Sequence, residues 1–295
     1  MEYLQPFLKW AGGKRQLLPQ LRPYFLLDYG TYYEPFVGAG AVLFDLHPEN
    51  AVINDTNPEL INLYHVIKDE QKIELLINDL KTHQNESDYF YHIRALDRQE
   101  EYNDTPDYKK ASRFIYLNKT CFNGLYRVNS KGYFNVPFGK YKNPNYVNEK
   151  VLRAVHQYLN ENHIAILNGD FEKATEHAES GDFVYFDPPY DPVSKTSSFT
   201  SYSKDNFGEE QQLQLRDTFK RLYEKGCYVL LSNSNTEFIN QIYLEIPGVD
   251  IIKVDANRSI NSKADKRGKI KEVLVIGDGR KNKERQSLGA NIQSI

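Results

Sequence analysis

Phe183-Val184-Tyr185-Phe186-Asp187-Pro188-Pro189-Tyr190 is an apolar and aromatic run that stops on one acid and two prolines. Four such residues bounded by turn formers have the length and composition of a buried strand. Proline fixes φ and removes a backbone donor, so the strand ends at Asp187. Alone, an Asp-Pro-Pro-Tyr peptide is common surface punctuation. Its position gives it weight, because open α/β sheets bind ligands beyond the carboxyl ends of their strands.

Segments of the same kind lie on both sides. Residues 32–36 lead into Val37-Gly38-Ala39-Gly40-Ala41 and then Val42-Leu43-Phe44, which reads as strand, glycine turn and helix. Residues 51–55 form a short strand ending in Asp55, and Asn57-Pro58 opens a helix as N-cap and first helical residue. Further strands are expected at 164–167 and 228–233, the latter after a helix over 209–225 that Gly226 ends. Residues 251–254 and 272–276 read as an antiparallel edge pair. From about 69 to 150 the alternation gives way to charged helical stretches and a Gly, Asn and aromatic-rich segment at 121–141, the pattern of an inserted domain. The tail beyond Gly279 is polar and expected to fray.

Composition narrows the function classes. The chain has 295 residues and 2 cysteines, Cys121 and Cys227, too far apart for a Cys-x-x-Cys pair, so neither a zinc site nor a disulfide framework is indicated and a reducing cytoplasm fits. No run of about 18 apolar residues and no signal core is present, so no membrane partner is expected. Lys and Arg number 37 against 40 Asp and Glu, a net charge of −3 that does not by itself suggest nucleic acid. The distribution is more telling: Lys119, Arg127, Lys131, Lys140 and Lys142 follow one another with no acid between, and Arg258, Lys263, Lys266, Arg267, Lys269 and Lys271 face only Asp265. A solvated face is the ordinary reading of either run.

Asp187 and the Pro188 carbonyl can both accept a hydrogen bond from a planar exocyclic amine, and Tyr190 offers a flat face for a base taken out of a duplex. Gly38-Ala39-Gly40 after a strand lets backbone amides approach a ligand, but Leu43 breaks the G-x-G-x-x-G fingerprint of a diphosphate site. Asp55 can accept from two ribose hydroxyls, or can act merely as a helix N-terminal acid. Lys9-Trp10-Ala11-Gly12-Gly13-Lys14-Arg15 lacks the spacing of a nucleoside triphosphate loop.

KWAGGK, EPFVGAG, NDTNPELINLY, NGLYRVNSKGYFNVPFG and DPPY, in this order across about residues 5–275, resemble the Dam-type DNA adenine-N6 methyltransferases. The resemblance implies a doubly wound, mostly parallel, Rossmann-like α/β sheet at 1–68 and 160–280. It also implies an inserted, mainly helical target-recognition domain with a β-hairpin at 69–159, and a polar tail at 281–295. It implies S-adenosylmethionine as methyl donor, no metal, and methylation of adenine in double-stranded GATC by base flipping. Trp10, Lys14, Gly38, Gly40, Asp55, Asp170, Phe171 and Asp187 would form the cofactor pocket. Asp187, Pro188 and Tyr190 would hold the flipped adenine. Lys9, Asn123, Leu125, Arg127 and Pro137 would read the DNA, Arg127 by a guanine edge.

Phe122 stands where some members carry Tyr, and the segment 196–202 resembles a loop closing near the base. A monomer in the cytoplasm is expected, acting either alone or beside a restriction endonuclease without stable complex. Competing readings are an amino methyltransferase acting on RNA or protein glutamine, and a binding protein on an inactive methylase fold. Asp187, where the glutamine-modifying family carries Asn, argues against a protein substrate, the target-reading hairpin argues for duplex DNA, and Asp187, Tyr190 and Asp55 together argue against the binding protein.

Overall fold

The run at 183–186 is the middle strand of a seven-stranded sheet. The computed structural model describes residues 3–10, 14–193, 207–257 and 269–281. Its strands are β1 (Tyr32–Glu34), β2 (Asn50–Asp55), β3 (His163–Asn168), β4 (Phe183–Phe186), β5 (Tyr228–Ser234), β6 (Asp250–Asn257) and β7 (Lys269–Asp278), ordered β3-β2-β1-β4-β5-β7-β6. The first five in that order are parallel, with Tyr32 beside both Ala51 and Phe183, and Phe183 beside Tyr228. β7 runs antiparallel to both β5 and β6. The expected antiparallel pair is therefore present, but the later strand is inserted between β5 and β6, so of these two strands β6 alone lies at an edge.

The helices are α1 (Leu18–Leu21), α2 (Leu43–Leu46), α3 (Pro58–Lys68), α4 (Lys72–Leu80), α5 (Ser87–Ala95), α6 (Asp107–Thr120), α7 (Glu149–Glu161), α8 (Phe171–Ala174), α9 (Glu209–Lys225) and α10 (Glu237–Leu244). Strand side chains alternate between faces, and both faces are covered. Tyr32, Phe183, Tyr185 and Leu230 join one core with residues of α3, α4, α6 and α7. Tyr33, Val184, Phe186, Val229 and Leu231 join the other with α9 and α10. This explains why β4 is apolar throughout instead of alternating. Two helix ends follow the sequence closely: the Asn57 side chain accepts from the amides of Glu59 and Leu60, and Gly226 closes α9 at φ 101.

Between β2 and β3, α5, α6 and the following loop build a third small core of Phe90, Ile93, Tyr116, Leu117, Cys121, Phe134 and Val136. The expected end of the insert at 159 falls inside α7, whose apolar side packs on α3 and β3. The loop 121–141 is not a continuous hairpin ladder. It has two isolated antiparallel bridges, Val128 to Phe134 and Cys121 to Phe138. Backbone bonds from the Asn135 amide to the Arg127 carbonyl at 3.0 Å and from the Asn129 amide to the Tyr133 carbonyl at 2.9 Å pair the arms around the first bridge, the Asn129 side chain accepts from the amides of Lys131 and Tyr133, and Asn123 turns the chain at φ 58. No helix among the described residues is long and apolar enough to cross a membrane.

Candidate active site

The sheet grows in one direction from β1 through β2 and β3, and in the other from β4 through β5, so β1 and β4 flank a switch point whose crevice opens at their carboxyl ends. The loops after these two strands meet there. Asp187 leaves β4 with its side chain 21% exposed and reachable from solvent. Nearly buried Lys14 places Nζ 2.8 Å from Asp187 Oδ1 and 4.3 Å from the centre of the Tyr190 ring. Ser232 Oγ meets the same carboxylate oxygen at 3.0 Å. Oδ2 has no donor among the described residues. Burial pushes the Asp187 carboxyl above the usual range, against the opposing pull of the Lys14 ammonium and the Ser232 hydroxyl.

The loop carrying Pro188 and Tyr190 is tied to three other elements. The Tyr190 hydroxyl donates to Glu272 Oε2 on β7 at 2.7 Å. Gln212 of α9 donates to the Pro189 carbonyl at 3.0 Å, and Asn233 of β5 both donates to Gln212 and accepts from the Asp191 amide, each at 3.0 Å. Such bracing fixes the carboxylate, the buried Pro188 and the ring relative to one another before any ligand arrives.

After β1, Gly38 and Gly40 take φ values of 49 and 73, the left-handed region open to glycine. A Cβ on Gly38 would stand 2.9 Å from both Cδ1 and Nε1 of Trp10. Asp55 Oδ2 accepts from the Gly38 amide at 3.1 Å and Oδ1 from the Asn57 amide at 2.9 Å. Burial raises the pKa of Asp55, and these amide bonds oppose the rise. Asn54 ties the turn to the loop after β3 by donating to the carbonyls of Pro35 and Gly169 at 3.0 and 2.9 Å. Asp170 is exposed and caps α8 through the Glu172 amide, whereas Phe171 is buried with its ring 5.4 Å from Phe36.

The structure thus gathers Trp10, Lys14, Gly38, Gly40, Asp55, Asp187, Pro188 and Tyr190 along the carboxyl edge of the sheet. Trp10 stacks on Tyr126 at 5.8 Å and on Phe114 at 6.3 Å, joining this edge to the loop 121–141. Lys9 is exposed, its backbone held by Asn118 and its Nζ 4.2 Å over the Tyr141 ring. Asn123 and Pro137 are exposed and Leu125 is half-buried. Arg127 donates through Nε to Asn135 Oδ1 at 2.6 Å. Residues 11–13, the segment 196–202, residues 258–268 of the second basic run and the tail from 282 lie outside the described residues.

Sequence reading missed Ser232, Glu272, Gln212 and Asn233. The signal for two of them is visible afterwards: the strand 228–234 turns from apolar to Ser232-Asn233-Ser234 at its carboxyl end, the same change that singles out Asp187. Glu34 on β1 was also passed over. It is buried, accepts from the Tyr32 hydroxyl at 2.8 Å, and burial raises its pKa to about 8.

With this geometry established, similarity to known proteins supplies the family. The chain is 47% identical over 278 residues to the type II methyltransferase M1.LlaDCHI of Lactococcus lactis subsp. cremoris, covering 94% of this chain and 96% of that protein. It is 42% identical over 293 residues to the type II methyltransferase M.MjaIII of Methanocaldococcus jannaschii, covering 92% and 99%. It is 37% identical over 284 residues to a DNA adenine methylase of Haemophilus influenzae, covering 94% and 95%. The family model described as D12 class N6 adenine-specific DNA methyltransferase matches residues 10–260, and the chain belongs to that family.

Proposed function

We propose that this adenine-N6 DNA methyltransferase acts on double-stranded GATC, taking the adenine out of the duplex and presenting its amine to Asp187 and the Pro188 carbonyl. The observation that carries the reading is the divided use of Asp187: Oδ1 is held by Lys14 and Ser232, while Oδ2 has no described donor. An exocyclic amine has two N–H groups for two acceptors, Oδ2 and the Pro188 carbonyl. As the nitrogen becomes tetrahedral and gains positive charge, both acceptors stabilise it in place. The Tyr190 ring, fixed through its hydroxyl to Glu272, supplies the stacking face. Lys14 opposes the effect of burial and favours the ionised form of Asp187, which can only accept from the amine. The proton in excess after transfer leaves the nitrogen for water.

The residues fit S-adenosylmethionine. Asp55 is a half-buried carboxylate whose described partners are backbone amides, and each oxygen retains a lone pair for a ribose hydroxyl. Gly38 lets the Trp10 indole pack directly against the turn, where a Cβ would clash with it. Trp10, Lys14, Gly40, Asp170 and Phe171 complete this pocket in our reading. The cofactor supplies an electrophilic methyl carried on a sulfonium. Residues 69–159 would read the target, Arg127 and Lys9 through guanine edges, Leu125 and Pro137 by apolar contact with thymine, and Asn123 from its exposed turn. The protein would work as a monomer on cytoplasmic DNA, and the type II names of two relatives support a functional pairing with a restriction endonuclease.

The test is incubation of unmethylated plasmid with the protein and S-adenosylmethionine, then digestion with endonucleases that respond oppositely to adenine methylation in GATC. Protection from one with sensitivity to the other is expected. Labelled methyl entering DNA without either change would overturn the GATC assignment. Asp187→Ala should lose transfer while retaining GATC binding; retained turnover would remove Asp187 from its role.

A further inference from the structure

We infer that Ser232 is the positioning residue that orients the Asp187 carboxylate, turning Oδ2 toward the target amine. The inference rests on the role given to Asp187 above. Ser232 is fully buried near the carboxyl end of β5, in a stretch where no local need calls for a hydroxyl. Its Oγ lies 3.0 Å from Asp187 Oδ1 and 3.0 Å from the Tyr185 hydroxyl. A serine hydroxyl has one proton. An ionised carboxylate can only accept, so that proton goes to Asp187, and Tyr185 must be the donor to Ser232. The result is a directed chain, Tyr185 to Ser232 to Asp187, buried behind the face that meets substrate.

Lys14 alone could not fix the carboxylate in this way. An ammonium is a point charge that either oxygen satisfies, and the carboxyl group could turn about its bond to Cβ and exchange Oδ1 for Oδ2. A second donor on the same oxygen, arriving from a rigid central strand, removes that freedom. Among the described residues, the charged and titratable groups around Asp187 are Lys14 from the N-terminal segment, Glu34 on β1, Tyr185 on β4, Tyr190 in the loop and Glu272 on β7. Of these Lys14 alone stabilises the carboxylate by charge. Loss of the Ser232 donor therefore favours the protonated acid, whose hydroxyl would compete with the amine as a donor.

The experiment is methyl transfer to GATC plasmid across pH by Ser232→Ala, Ser232→Thr, Tyr185→Phe and Asp187→Ala, with melting temperatures measured alongside. Ser232→Ala should lower kcat about tenfold to a hundredfold, the range for a hydrogen bond to a charged group, with KM for DNA and cofactor nearly unchanged. Its acid limb of kcat should move to higher pH, and Ser232→Thr should restore both. Tyr185→Phe, which leaves Ser232 in place but without its donor, should move the limb the same way by less. Unchanged kcat and acid limb in a folded Ser232→Ala variant would overturn the inference. Should that variant fail to fold, an unmoved limb in Tyr185→Phe would do the same. An active Asp187→Ala would instead overturn the reading of Asp187 itself, so the two failures are distinguishable.

Discussion

Replacing Gly38 by alanine tests how the turn after β1 is built. Gly38 lies at φ 49, where an L-residue loses ~1–2 kcal/mol. The new methyl would also stand 2.9 Å from two atoms of Trp10, inside the 3.4 Å limit of ordinary contact. The indole cannot easily retreat, since it is stacked on Tyr126 and Phe114. Overpacking of this kind costs ~1–3 kcal/mol. The sum is ~2–5 kcal/mol, and at ~2 °C per kcal/mol for a chain of this size, melting should fall by ~4–10 °C. Gly181 provides the control. It has φ 93 but nothing within 4 Å of an added Cβ, so Gly181→Ala bears the backbone cost alone. Calorimetry with S-adenosylmethionine should show at least ~10-fold weaker binding for Gly38→Ala, about 1.4 kcal/mol, and unchanged binding for Gly181→Ala. Equal melting and equal affinity in the two variants would refute the argument, because they differ in the Trp10 contact and in nearness to the proposed cofactor pocket.

Glu34 has a folded pKa raised to about 8 from 4.5, so its contribution to stability is complete below about pH 4.5 and is lost as pH rises toward 8, a few kcal/mol in all. Denaturant titrations of Glu34→Gln against the parent across pH 5 to 9 should show a flatter profile in the variant, and parallel profiles would refute the assignment. Arg127→Ala should lose ~1–3 kcal/mol of discrimination between GATC and a site altered at guanine, measured by competition binding, while binding to unrelated duplex changes little. A uniform loss on all sequences would make Arg127 a phosphate contact instead. Cys121 is buried and its thiol is pushed up to about 12 by that burial, so the native protein should resist iodoacetamide at this residue until denaturant is added, as read by peptide mass.

Much of the sheet was legible because its rules are local. Asn57-Pro58 and Gly226 mark helix ends through bonds and dihedrals that span a few residues, and the apolar run at 183–186 needs two covered faces wherever it is placed. Asp187 and Asp55 were legible for the same reason, each being an acid at the end of such a strand. The supports of the site were not. Ser232 lies 45 positions from Asp187 along the chain, and Glu272 lies 82 from Tyr190. Only the pairing of β5 with β4 and of β7 with β5 brings them to the loop. The turn residues and aromatics of 121–141 point to a hairpin, and its arms do pair through the Asn135 amide to the Arg127 carbonyl and the Asn129 amide to the Tyr133 carbonyl, but the side-chain bonds of Asn129 and Asn135 that support it are not legible from composition.

The place of β7 between β5 and β6 has a consequence for biosynthesis. The chain leaves the ribosome from its N-terminus, and the strands that carry Asp55, Asp187 and Ser232 emerge well before β7. Until residues 269–278 are made, β5 has an open flank and Tyr190 lacks the carboxylate that holds its hydroxyl. A nascent polypeptide therefore carries Asp187 and Tyr190 before the carboxylate that anchors the Tyr190 hydroxyl has been made.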